Sequence, residues 1–198
     1  LYYIKNNNRK LFTRGNGSVG YDISHLIPYL NLPDINPLKL FIDHDEICVR
    51  GEIILSKEKF KKYDNSNARN LVSGLVNSKK INVELAKDVD VIMYELVDFN
   101  TLTPKKQMNM MENLGFNVVN YTHLKNDMLS NPKLSEKLLK TLLIKRRQEA
   151  PYEIDGIIVS HNEFYKKNTS GNPKHSFAFK MVFNEQIKET KVKNVEWN

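Results

Sequence analysis

Apolar residues recur along this chain at two spacings, one of two and one of three to four, and these divide it into strands and helices. Leu1 to Thr13 alternates around the polar turn Asn6-Asn7-Asn8 and predicts two short strands. Tyr21 to Leu30 is short and mildly amphipathic. Pro28, Pro33 and Pro37 then predict an irregular path over residues 28–38, since proline lacks the N–H that a regular element needs. Leu40 to Leu55 reads as a strand, a turn at Asp43-His44-Asp45 and a second strand. Period two places Ile47, Val49, Gly51 and Ile53 on one face of it and Cys48, Arg50 and Glu52 on the other. Lys57 to Tyr63 fits one or two helical turns, and Asn67 to Ser78 a helix with Leu71, Leu75 and Val76 on one side. Val89 to Phe99 predicts a strand carrying Ile92, Tyr94 and Leu96 on one face.

Thr103 as cap, Pro104 as first residue and Gly115 just past the end frame a helix that buries Met108, Met111 and Leu114. Phe116 to Tyr121 predicts a short strand. Pro132 to Ala150 is the longest helix, with Leu134, Leu138, Leu139 and Leu142 as its apolar stripe and Pro151 as its stop. Ile154 to Val159 and His175 to Val182 predict buried strands on either side of a loop at Gly171-Asn172-Pro173. Thr190 to Trp197 alternates like the opening strand of another unit. Strands and helices are interspersed, with several hairpins. That order argues for an α+β fold with antiparallel β-sheets flanked by helices, and against a doubly wound parallel sheet.

At 198 residues the chain has room for one domain with a real core, or one domain and a fragment of another. No run is long and apolar enough for a membrane helix, and the N-terminus lacks a signal peptide's apolar core, so no membrane partner is expected. The single cysteine, Cys48, excludes internal disulfides and a cysteine-cluster zinc site, and points to an intracellular, reducing compartment. The formal charge of +7 suits a polyanion such as nucleic acid, although many lysine-rich chains are basic without binding one. The abundance of Asn, Lys and Ile fits an AT-rich genome and weakens any argument from single surface lysines. The opening residues read straight into a strand, which fits a fragment of something longer.

Six positions carry candidate chemistry, each with a plainer reading beside it. Arg50-Gly51-Glu52 puts charges inside an apolar strand, which is costly unless they face a polar ligand. The plainer reading is a surface ion pair on an edge strand. Thr13-Arg-Gly-Asn-Gly-Ser-Val-Gly20 holds three glycines in six positions, either an ordinary turn or a loop letting backbone and Arg14 approach a ligand. It is not a P-loop, because no Gly-Lys-Ser/Thr follows. Asn67-Ala-Arg-Asn-Leu-Val-Ser-Gly74 is an N-capped amphipathic helix, and Arg69 in its first turn, beside free N–H groups, suits phosphate. Tyr94 on its strand is either core or a stacking platform. Asp155 precedes an apolar run and is either a turn residue or a carboxylate that engages a metal or a lysine. Alternation places Lys180 on the face of Ala178, opposite Phe177 and Phe179, either snorkelling at an edge or clamping a phosphate.

Taken together and in this order, the segments Thr13 to Asp22, Val49 to Ile54, Asn67 to Gly74, Tyr94, Glu153 to Val159 and Phe177 to Lys180 resemble the adenylation (nucleotidyltransferase) domain of NAD-dependent DNA ligases. That family carries Thr-Arg-Gly-Asp-Gly, Asn-Pro-Arg-Asn-Ala-Ala-Ala-Gly, Asp-Gly-Val-Val-x-Lys and Ala-Tyr-Lys-Phe at the matching places. The resemblance implies an ATP-grasp-like nucleotidyltransferase fold over residues 1–184, with residues 185–198 opening an OB-fold. It implies AMP transfer from NAD to an enzyme lysine and then to a DNA 5′-phosphate, with Mg²⁺, on nicked duplex DNA, by a monomer. Arg14 would reach the nucleotide, Glu52 hydrogen-bond its ribose and Tyr94 stack on adenine. Arg69 would handle phosphate, Asp155 stand near the reacting phosphate and metal, and Lys180 neutralise charge at the attacked phosphorus.

Three departures accompany the resemblance. Asn77 stands where the family has a second arginine, and Ser160 where it has a strand-end lysine, for which Lys166 or Lys167 would have to compensate. The nucleophilic Lys-x-Asp-Gly does not occur in residues 1–198. Glu153-Ile-Asp-Gly156 mimics it, but a glutamate cannot form the phosphoramide. These departures, with the composition, point to a divergent, viral member. The alternatives are a catalytically degenerate module of the same fold that binds nucleic acid or a protein, and an ATP-dependent ligase or capping enzyme.

Overall fold

The computed structural model describes residues 1–5, 8–16, 19–35, 46–65, 67–97, 99, 101–124, 132–165, 173–181, 191 and 193–194. Among these residues, six strands run β1 Tyr2–Lys5, β2 Asn8–Leu11, β3 Glu46–Ile54, β4 Asp90–Leu96, β5 Gly156–Ser160 and β6 Ser176–Lys180. Five helices among them run α1 Lys57–Phe60, α2 Ala68–Asn77, α3 Val83–Asp88, α4 Pro104–Asn113 and α5 Pro132–Glu149. A 3-10 helix covers Ser24–Tyr29. All paired strands are antiparallel, in a four-stranded sheet of order β2-β1-β3-β4 and a separate β5-β6 pair. The expected mixture of helices and antiparallel sheets is therefore what the chain forms.

The core follows from alternation. Tyr2, Ile4, Ile47, Val49, Val91, Met93 and Leu96 are buried on one side of the large sheet, and Leu26, Val72, Leu75, Leu85 and Met111 close over them from the helices. Asn67 caps α2 by accepting the Asn70 N–H at 2.7 Å, which lets the helix start where the sequence places it. Val72 and Leu75 form its buried line, with Leu71 and Val76 alongside.

Several expectations need correction. Ile92, Tyr94 and Leu96 do not share a face: Arg50 pairs with Glu95 and Gly51 with Met93, so Tyr94 is the extra residue of a β-bulge and the alternation changes phase there. Pro28 lies inside the 3-10 helix rather than in irregular chain, since so short a turn has few hydrogen bonds to lose. Thr103 starts α4, but its hydroxyl makes no capping bond; Gln107 instead accepts the Leu96 N–H at 3.1 Å and donates to the Leu102 carbonyl. Phe116 to Tyr121 forms a single parallel bridge, Val118 to Met93, rather than a strand.

On α5 Leu139 is buried and Leu138 and Leu142 half-buried, as the stripe requires, and Leu143, which the stripe left out, is buried as well. The β5-β6 pair is not buried, with Ile158 71% and Phe177 55% exposed. An apolar run marks a strand without saying how many of its faces are covered. Helix α3, capped by Asn82, was not anticipated. The turns at Asn6-Asn7 and Asp43-His44-Asp45, the strand before the latter, the Leu134 side chain, Lys166, Lys167, Gly171-Asn172 and the segment 185–198, apart from residues 191, 193 and 194, lie outside the described residues.

Candidate nucleotide site

The first group of candidate residues sits on the outer face of β3 and β4. Glu52 pairs across the ladder with Ile92, whose outward direction continues into Tyr94. Gly51 faces the bulge because nothing larger fits. A Cβ there would lie 2.4 Å from the Ile92 carbonyl oxygen and 2.5 Å from the Met93 sulfur. Tyr94 is 37% exposed on the outer face. Its phenol is raised above its ordinary value, first by burial and then by the Glu52 charge, while Arg50 and Arg14 pull it back. Tyr94, Glu52, Arg50, Glu95 and Arg14 thus share one electrostatic neighbourhood.

Arg50 is not free to meet a ligand, since its guanidinium donates to Glu95 at 2.5 Å. The surface ion pair of the plainer reading is present, but β3 lies between β1 and β4 and is not the edge strand that reading assumed; Glu52 keeps the outward place beside Arg50.

Arg14 is presented by a tight hairpin. Phe12 bridges to Asp22, Thr13 N–H donates to the Tyr21 carbonyl, and the Thr13 hydroxyl accepts the Tyr21 N–H at 2.9 Å. Gly15 turns the chain at φ +54°, in the left-handed region where a side chain is strained. Asp22 anchors the hairpin's far side. It accepts from Ser24 N–H and Lys10 Nζ, and these bonds, Ser24's first, hold its carboxyl down at about 2.

The second group belongs to the smaller sheet. Lys180 ends β6 opposite Gly156, on the face of Ala178 as alternation requires. Its ammonium donates to the Asp155 carboxylate at 2.7 Å, and both side chains are largely exposed. That hydrogen bond is the main cause of a lowered Asp155 pKa, with Arg69 adding a smaller attraction, so Arg69 in the first turn of α2 lies within electrostatic reach of the pair. Asp155 is therefore engaged by a lysine, one of the alternatives its sequence left open.

Asn77, where a second arginine was expected, turns back onto its own helix, donating to the Ser73 carbonyl at 2.9 Å. Ser160 is exposed at the end of β5. The sequence did not reveal the Arg50–Glu95 and Lys180–Asp155 pairs, because cross-strand partners depend on register. Among the described residues no group of three or more His, Cys, Asp or Glu side chains gathers as a metal site. A shallow groove lined by Asn120, Thr122, Leu142, Lys145, Arg146 and Glu149 lies apart from all six candidates. No helix of the described residues is long and apolar enough to cross a membrane.

The geometry thus offers two exposed groups, Tyr94 and Glu52 with Arg14 nearby, and Lys180 and Asp155 with Arg69 nearby. Comparison with known proteins makes the class specific: residues 1–184 match the model of the NAD-dependent DNA ligase adenylation domain, and the chain belongs to that family. It is 42% identical over 201 residues to a DNA ligase of Acanthamoeba polyphaga mimivirus, covering 100% of this chain and 30% of that protein. It is 32% identical over 215 residues to a DNA ligase of Acholeplasma laidlawii, covering 98% of this chain and 30% of the relative. The chain thus spans less than a third of the length of these relatives.

Proposed function

We propose that this chain is the nucleotide-binding core of an NAD-dependent DNA ligase, built on the nucleotidyltransferase (ATP-grasp-like) fold. Residues 1–184 form the adenylation domain and residues 185–198 begin an OB-fold. The observation that carries this reading is the family match over residues 1–184. The two exposed groups, Tyr94–Glu52–Arg14 and Lys180–Asp155–Arg69, support it.

In this reading NAD supplies the adenylyl group. Tyr94 offers its half-exposed ring to adenine, and Glu52 accepts hydrogen bonds from the ribose. Arg14 and Arg69 meet phosphate from two sides. Lys180 holds positive charge where negative charge grows on the attacked phosphoryl group, a role in which a fixed cation lowers the barrier directly. Asp155 keeps that ammonium oriented. The nucleophilic lysine must come from chain outside residues 1–198, because no Lys-x-Asp-Gly occurs within them. The described carboxylates do not form a cage, so Mg²⁺ would arrive largely on substrate phosphates, as this strongly hydrated ion commonly does. Nicked duplex DNA is the acceptor, and the formal charge of +7 favours it.

The test is self-adenylation of the intact protein, incubated with NAD and separately with ATP plus Mg²⁺, read as a mass gain of one adenylyl group. Gain with NAD alone is the expected result. Gain with ATP alone would move the protein to the ATP-dependent branch. No gain with either, in a folded sample, would leave a binding module of the same fold.

A further inference from the structure

The smaller sheet carries Lys180 and Asp155, yet it contributes no residue to the apolar cluster beneath the larger one, whose described members all fall between Tyr2 and Val118. Polar ties join the two halves of the site. Asp90, the first residue of β4, divides its carboxylate between two partners: Oδ1 accepts from Lys59 Nζ at 2.9 Å and Oδ2 from the Tyr152 hydroxyl at 3.0 Å. Tyr152 stands three residues before Asp155.

One turn away, Lys57 fixes the same stretch of chain. Its backbone N–H donates to the Pro151 carbonyl at 2.8 Å. Its ammonium donates to the Arg147 and Ala150 carbonyls at the end of α5, where the helix dipole also favours a cation. The far end of β5 has a lighter tie, from the Lys105 N–H to the Asn162 side chain at 3.0 Å.

We infer that Asp90 and Tyr152 are positioning residues for the adenylyl transfer: their contact sets where β5 begins, and so where Asp155 and Lys180 stand relative to the Tyr94–Glu52 face. The contact is built to persist. Burial, then the Asp90 carboxylate, pushes the Tyr152 phenol up to about 12, so it stays a donor throughout the neutral range. The side chain of Asp90 is only 21% exposed, which shields the bond from competing water. Asp90 shares the outer side of β4 with Ile92, four residues before Tyr94, and neither it nor Tyr152 belongs to the Tyr94–Glu52 or Lys180–Asp155 groups, so the effect on chemistry passes through the backbone that follows Tyr152.

This inference rests on the ligase reading, and the experiment separates the two. Single-turnover self-adenylation by the intact protein is measured against NAD concentration for the wild type, Tyr152→Phe, Asp90→Asn and the double variant. The expected result is a rate constant lower by about tenfold or more in each single variant, since small misplacements of reacting groups are costly. The NAD concentration for half-maximal rate should be unchanged, and the double variant should be no slower than the worse single. Tyr152→Phe at the wild-type rate overturns the inference. So do losses that multiply in the double variant, or a loss that vanishes once rates are corrected for the folded fraction. If the wild type takes no adenylyl group, the ligase reading fails instead. Amide exchange then decides the tie, which requires Tyr152→Phe to speed exchange in β5 and leave β4 unchanged.

Discussion

Lys180 and Asp155 form a pair whose energetic meaning depends on its exposure. Both side chains are more than half exposed, so water screens their attraction and the pair adds little to stability. Its value lies in orientation, with a flexible ammonium pinned at one point by a carboxylate. Replacing Lys180 by alanine should abolish or severely reduce self-adenylation while leaving the melting temperature near the wild-type value. Unchanged transfer in that variant would remove Lys180 from the site. The same substitution has a titration signature. Lys180 lowers the Asp155 pKa from its ordinary 3.8, so the pair's small contribution is present above that value and fades as pH falls through the lower, folded-state one. Carboxyl NMR should show the Asp155 midpoint rising toward the ordinary value in Lys180→Ala; an unmoved midpoint would mean that Lys180 does not set it.

Among the elements, the β3–β4 ladder carries most of the consequence. At Gly51 the partner strand leaves no room for a side chain, and Gly51→Ala would force its new methyl against the Ile92 carbonyl and the Met93 sulfur. Overpacking of that kind costs about 1–3 kcal/mol, so the urea midpoint should fall accordingly. An unshifted midpoint would mean that the ladder yields there without cost. Most of this element was legible. Alternation assigned Ile47 and Val49 to the core and Glu52 to the outside, and the cap at Asn67 placed α2 to the residue. The bulge was not read, although a trace of it exists, since the buried Met93 and Leu96 are three apart where a regular strand keeps even spacing. Helix α3 escaped because six residues give too little periodicity to see. The smaller sheet was found as strands but misjudged as buried, because the run Ile157-Ile158-Val159 reads alike whether one face is covered or both.

For the whole molecule, charge is the property the sequence gives directly, and it carries a prediction of its own. If the basic surface meets DNA phosphates, affinity for nicked duplex must fall with salt. About four phosphate contacts would cost about a hundredfold between ~50 and ~200 mM monovalent salt. A fluorescence anisotropy titration across that range checks this, and a flat response would separate the +7 charge from DNA binding. The six candidate residues, spread from Arg14 to Lys180, were found through a family pattern rather than through physics. Their partners, Arg50 with Glu95 and Lys180 with Asp155, depend on strand register, and the Asp90–Tyr152 contact joins residues 62 apart in the chain. No local pattern announces such a meeting.

The bulge at Tyr94 is a one-residue insertion that the remaining sequence can do without. With Tyr94 removed, Val91, Met93 and Leu96 would fall inward and Ile92 and Glu95 outward in unbroken alternation. Deleting that single codon should therefore yield a protein that folds at least as well as the parent, as thermal melting would show, yet no longer presents a ring for adenine. The chain keeps a sheet that is less regular than its own sequence allows, and the irregular residue is the one proposed to face the nucleotide.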